Sequence, residues 1–208
     1  MKHVITLILV IPLMVSAQRT ERTDKRGFYK YHYELVKPVQ DTALKYSDDK
    51  MEFRFTFGIT EIAFSGKNKT DEVLKVVWDE ASIVLMGTAE KVMHKGIRFI
   101  ERDQSMSPTT IPPNSTIQDL IIPTKNVYYT SGTYGGWNTR DLFPTSDLKR
   151  VEFKNAIDSL KGQEIVIYLP IRNNKNDEYG YSFTFRIKEV ECTSCTPPEK
   201  NRRKRSKG

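Results

Sequence analysis

Ile165-Val166-Ile167-Tyr168-Leu169-Pro170-Ile171 and Tyr179-Gly180-Tyr181-Ser182-Phe183-Thr184-Phe185-Arg186-Ile187 are two alternating segments joined by the turn-forming run Asn173–Asp177. Side chains two residues apart share one face of a strand, so Ile165, Ile167, Leu169 and Ile171 belong to one face. Tyr179, Tyr181, Phe183, Phe185 and Ile187 belong to another, and a hairpin lays both on a common core. Pro170 lacks a backbone donor and places the first arm at a sheet edge. Working outward, Met51, Phe53, Phe55 and Phe57 alternate with Glu52, Arg54 and Thr56 in the same period. The parity changes across Gly58, where Ile62 and Phe64 take over the inward face, so a bulge or break is expected there.

Further strands are predicted at Phe28–Leu35, at Leu74–Trp78 after a turn over Gly66–Asp71, and at Ser82–Met86, Lys91–His94, Ile97–Ile100 and Thr116–Ile122. The connection through Gly66–Asp71 reads as a hairpin turn. Val39–Lys50 and the stretch from Asn126 to Pro144 read as loops. Only Asp147–Leu160 has helical spacing, with Gly162 as its C-cap. Short strands at near-regular intervals predict an all-β fold, an Ig-like or related antiparallel β-sandwich with one short helix, spanning residues 28–195.

The ends carry different signals. Residues 1–17 combine Lys2 and His3, the apolar run Val4–Val15 and the ending Val15-Ser16-Ala17, which predicts a signal peptide cleaved before Gln18. The apolar run is too short to span a bilayer as a helix, and no transmembrane anchor is expected. Residues 18–27 form a polar leader. The chain has a net charge of +7, but most of it falls on residues 196–208, where Lys200, Arg202, Arg203, Lys204, Arg205 and Lys207 face only Glu199. The folded body is therefore nearly neutral. The basic pI describes a tail, and export argues against nucleic acid as its partner. Its expected partner is an anionic envelope surface, against the plainer reading of a solvated end.

Catalytic, cofactor and metal signals are not found. His32 and His94 sit in no nucleophile, metal or phosphate motif, and His94 reads as a turn or packing residue. Asp79-Glu80 reads as a solvated turn rather than a carboxylate pair, and Trp78 as a core residue. Tyr128, Tyr129, Tyr134 and Trp137, in a Gly-rich loop, could stack on a sugar or peptide ligand or simply pin the loop to the sandwich. Cys192 and Cys195 are the only cysteines. Thr196-Pro197-Pro198 follows them where a redox motif would open a helix, so a structural disulfide, or pairing with another chain, is expected in an oxidising compartment.

Several segments together resemble a family of uncharacterised exported bacterial β-sandwich proteins, many of them lipoproteins. They are Ile62-Ala63-Phe64 with Asn68-Lys69-Thr70, Val76-Val77-Trp78-Asp79-Glu80-Ala81-Ser82, Val92-Met93-His94-Lys95-Gly96-Ile97-Arg98-Phe99, Ile111-Pro112-Pro113, Asp119 and Ile122-Pro123. The resemblance runs roughly from Met51 to Ile187 and implies an envelope-exported β-sandwich with no activity, cofactor or partner to carry over. This chain lacks the lipidated cysteine. The expected function is an exported, envelope-associated binding or accessory module without catalytic activity, located in the periplasm, at the outer membrane or outside the cell. Its partner would be an anionic envelope surface or another envelope protein. The alternative is a secreted enzyme acting on an envelope polymer or glycan.

Overall fold

Alternation fixes which side chains turn inward, and the computed structural model, which describes residues 29–145 and 159–192, shows how the resulting strands pair. The strands are β1 (Tyr29–Lys37), β2 (Lys45–Ser47), β3 (Met51–Phe57), β4 (Ile62–Asn68), β5 (Leu74–Val76), β6 (Ser82–Leu85) and β7 (Thr88–Met93). They continue with β8 (Thr109–Ile111), β9 (Thr116–Pro123), β10 (Val127–Thr130), β11 (Gly136–Thr139), β12 (Glu164–Asn173) and β13 (Glu178–Cys192). Every pairing is antiparallel. One layer is built around β1-β13-β12-β6-β7, with β5 beside β12 and β8 beside β5. The other has the order β9-β4-β3-β2. The layers join where Val92 and Met93 of β7 meet Pro123 and Ile122 of β9.

The two inner faces meet through phenylalanine. Phe53 and Phe55 of β3 lie 5.0 and 4.8 Å from Phe183, and Phe55 and Phe57 lie 5.0 and 5.1 Å from Phe185. Interplanar angles of 59–75° make these edge-on or tilted contacts, in which the positive edge of one ring meets the negative face of the next. The alternating residues of the terminal hairpin are buried together, with Ile167, Leu169, Ile171, Phe183, Phe185 and Ile187 all at 0% exposure. The all-β antiparallel sandwich expected from these residues is therefore the observed architecture.

Several elements differ from their expectation. Strand β12 is interior, pairing with β13 on one side and with β6 and then β5 on the other. Pro170 is tolerated there because β6 ends its pairing at Tyr168 and β5 begins at Ile171, so its nitrogen faces the gap between two half-length partners. Its carbonyl in that gap accepts from the Val77 backbone at 3.0 Å. The break at Gly58 is the turn of the β3–β4 hairpin, closed by the Gly58 N–H donating to Glu61 O at 2.8 Å. Gly66 lies inside β4, not in a turn, and β4 does not form a hairpin with β5. The chain instead crosses to the other layer, where β5 pairs with β12 and β8.

Residues Phe99–Glu101 form a 3₁₀ turn rather than part of a strand. Short strand β2 arises where a loop was expected, β8 is a further short strand outside the predicted set, and the loop after Asn126 contains the β10–β11 hairpin. Of the predicted helix, Asp147–Leu160, only Ser159 and Leu160 are among the described residues. Both are helical, Leu160 is buried, and Gly162 at φ +86° follows as a C-cap glycine does.

Candidate functional site

The β10–β11 hairpin stands apart from the main sheet as a separate two-stranded ribbon. Its register places Tyr129 opposite Trp137 and Tyr128 opposite Asn138. The turn is closed by Gly135 N–H donating to Gly132 O at 2.9 Å, and Asn138 Nδ2 donates across the ribbon to Thr130 Oγ1 and along its own strand to Gly136 O. Gly135 has to be glycine, since a Cβ there would lie 2.3 Å from the Thr130 carbonyl oxygen. At the base, Arg140 N–H donates to Asn126 O at 2.8 Å, and the Arg102 guanidinium donates to Val127 O.

Anchoring is supplied by other residues than the aromatics. Val127 is buried at one root of the ribbon, and Leu142 and Phe143 are buried after the other. This leaves Tyr129 60%, Tyr134 100% and Trp137 36% exposed. Tyr129 and Trp137 meet edge-on at 5.5 Å, Arg102 covers the Trp137 ring at 5.4 Å, and Arg140 covers the half-buried Tyr128 at 5.0 Å. Ile100, 67% exposed, lies two residues before Arg102. Large rings held at fixed angle, with guanidinium groups against two of them, form a surface suited to stacking on a ring-shaped ligand. The sequence brought the four aromatics to attention. It did not reveal Arg102 or Arg140, because a cation–π partner carries no local spacing signal.

His94 follows β7 and turns inward. Its ring stacks on Trp78 at 4.4 Å with planes 5° apart, and its Nδ1 lies 3.4 Å from Asp119 Oδ2. Both ring nitrogens are shielded from solvent without a hydrogen-bond partner. The other Asp119 oxygen accepts from the backbone N–H of Lys95 and Leu120 at 2.7 and 2.8 Å. Trp78 is fully buried and donates from Nε1 to Thr109 Oγ1 at 2.7 Å. This set ties β7, β9 and the Trp78–Glu80 turn together. Beside it lies a cavity of about 280 Å³ lined by His94, Ile97, Glu101, Gln104, Ser105, Met106 and Ser107.

Asp79 and Glu80 are neighbours with separate duties. Asp79 accepts from the Ser105 hydroxyl and from Met106 N–H at 2.9 Å, with Lys91 at 3.6 Å, and these bonds, that of Ser105 first, hold its carboxyl below the ordinary aspartate range. Glu80 pairs with Arg172 at 2.5 Å, which also holds Glu178. They do not converge on a cleft as acid and base.

Among the described residues, no group of three or more His, Cys, Asp and Glu side chains is placed to hold a metal ion. No helix there is long and apolar enough to cross a membrane. Cys192 ends β13 opposite Tyr29, while its side chain, Cys195 and the basic residues Lys200, Arg202, Arg203, Lys204, Arg205 and Lys207 lie outside the described residues, as does the segment 1–17.

No protein-family model and no curated protein matches the chain. A solved structure described as the X-ray structure of Northeast Structural Genomics Consortium target SoR45 is similar at 12% identity and a TM-score of 0.29, covering 77% of this chain and 85% of that one.

Proposed function

We propose that this chain is a non-catalytic binding or accessory module exported to a bacterial cell envelope, and that the β10–β11 hairpin is the element that meets its ligand, an envelope glycan. The observation that carries this reading is the exposure of Tyr129, Tyr134 and Trp137 on a ribbon anchored by other residues. Exposed aromatics cost solvation without contributing to the core, and a contiguous set on a loop held by a rigid scaffold is a recognition feature. Arg140 adds positive charge beside Tyr128, whereas Arg102 against Trp137 is itself paired with Asp103 at 3.3 Å, so Arg140 is the cation that favours a glycan bearing acidic groups.

The signal-like residues 1–17 and the resemblance to exported envelope proteins support the location. The basic run Lys200–Lys207 adds a second, salt-sensitive attraction to anionic surfaces, weakening over a Debye length of about 8 Å at physiological salt. The alternative of a secreted enzyme has less support, since both His94 ring nitrogens are shielded from solvent.

Co-sedimentation with purified envelope fragments separates the contributions. The chain from Gln18 to Gly208 is compared with a chain stopped at Cys195 and with the double variant Tyr129→Ala, Trp137→Ala. The double variant is expected to bind at least about tenfold more weakly at low and high salt, a change of about 1.4 kcal/mol, with an unchanged melting temperature. The shortened chain should lose only the part of binding that salt also removes. Unchanged binding by the double variant would remove the hairpin from the function.

A further inference from the structure

The outer face of the second layer carries a recess that the hairpin does not explain. Strand register sets it in rows: Arg54, Ser65 and Gln118 lie side by side across β3, β4 and β9, and Thr56, Ala63 and Leu120 form the next row. The middle strand thus presents only Ala63 and Ser65, while longer side chains rise from its neighbours. Lys95, positioned by its backbone N–H bond to Asp119, closes one side. The result is a trough of about 430 Å³ along β4. The strands that wall it are two inter-strand spacings apart, roughly 10 Å, which is the width of a single sugar ring with its hydroxyls.

The chemistry of the lining is specific. Arg54 is held by Glu52, which accepts from Nε at 2.9 Å and from Nη2 at 2.7 Å, so the guanidinium is oriented and its remaining nitrogen is unengaged. Among the described residues the Lys95 ammonium has no ion-pair partner, and the Thr56, Ser65 and Gln118 side chains have no hydrogen-bond partner. Asp119, the acidic member of the lining, directs one oxygen to two backbone N–H groups and the other to His94. Its side chain is only 8% exposed, so the carboxylate is turned into the protein and away from the open trough.

We infer that the trough over Ala63 and Ser65 is a binding site for an acidic sugar. Its carboxylate or phosphate would lie toward Lys95 and the free Arg54 nitrogen, and its hydroxyls would bond Thr56, Ser65 and Gln118. Charge-assisted hydrogen bonds from an oriented guanidinium and an ammonium supply preference for the anion, and hydroxyl and amide groups that both donate and accept match sugar hydroxyls. The site does not depend on the hairpin reading.

A two-dimensional amide NMR titration of the chain from Gln18 to Gly208 tests it, with galacturonate, glucose 6-phosphate and galactose as probes. The amides of Ser65, Lys95 and Gln118 are expected to shift with an acidic sugar and not with galactose. The carboxylate and phosphate probes distinguish which anion is recognised. Lys95→Gln should weaken binding at least about tenfold, and Ala63→Leu, which fills the floor from an exposed position, should abolish it. Both variants should keep the parent melting temperature, and Trp137→Ala should titrate like the parent. Equal response to galactose, no response to either acidic sugar, or unchanged binding by Ala63→Leu would overturn the assignment.

Discussion

Asn68 is a fully buried side chain at the point where the chain leaves β4 for the opposite layer. Its amide nitrogen donates to the carbonyls of Glu72 at 2.7 Å and of Ile111 and Pro112 at 3.1 Å, and its oxygen accepts from the N–H and hydroxyl of Thr70. Truncation removes the buried bond to Ile111 O together with four part-buried bonds, and a stranded buried group costs about 1–3 kcal/mol. Asn68→Ala should therefore lower stability by about 3 kcal/mol in urea unfolding, whereas Asn138→Ala, on the exposed ribbon, should change it by less than about 0.5 kcal/mol. The sequence shows Asn68-Lys69-Thr70 as a turn but not its burial, because a crossing of layers depends on partners more than forty residues away. Asp79 makes a pH-dependent contribution from the same scale. Its folded carboxyl titrates below the ordinary value of 3.8 because Ser105 and Met106 donate to the ionised form. Such a group stabilises the fold above its unfolded pKa, and the contribution disappears as pH falls through the lower folded one. The substitution Asp79→Asn should cost stability at pH 6, and the gap from the parent should close as pH falls below the ordinary aspartate value of about 4. A gap independent of pH would show that the carboxylate charge is not what matters there.

At the scale of elements, alternation and the terminal hairpin are readable, whereas pairing between strands distant in sequence is not. Met51–Phe57 and the two arms of the terminal hairpin announce their inward faces because burial on one side forces a period of two. Pro170 misleads because its local rule assumes a continuous neighbour, and the gap between β6 and β5 is a tertiary fact. The β10–β11 ribbon stayed hidden for a related reason: Gly132, Gly135 and Gly136 lower strand propensity, although two of them serve the turn. Those glycines give a sharp test. A Cβ at Gly135 would collide with Thr130 O at 2.3 Å, while one at Gly136 meets nothing within 4 Å. Gly135→Ala should disrupt the ribbon and raise hydrogen exchange at Tyr129 and Trp137, leaving the amides of β12 and β13 protected as before. Gly136→Ala should leave exchange unchanged throughout. Equal effects from the two would mean that the turn is not held as described.

The whole molecule raises the question of what makes two layers one unit, since β7 and β9 share only two residue pairs. So narrow a joint supplies few hydrogen bonds, and the phenylalanine contacts between β3 and β13 must carry the coupling. Phe183 is central to them. It is fully buried and lies 5.6, 5.0 and 4.8 Å from Tyr46, Phe53 and Phe55 of the facing layer. The composition makes an aromatic core readable in advance, whereas the ring-to-ring matching across layers, like the arginine partners of the hairpin, appears only once strand order is known. Phe183→Ala should cost about 3–5 kcal/mol, through lost burial and the cavity left behind. Cooperativity can be followed in a Trp137→Phe background, where Trp78 is the remaining tryptophan of the two. The parent should show one urea transition, coincident for Trp78 fluorescence and far-ultraviolet dichroism. Phe183→Ala should shift both together to lower urea if the interface holds the layers as a unit. A fluorescence transition that stays in place while the dichroism moves would show instead that the Trp78 region is stabilised independently of the phenylalanine interface.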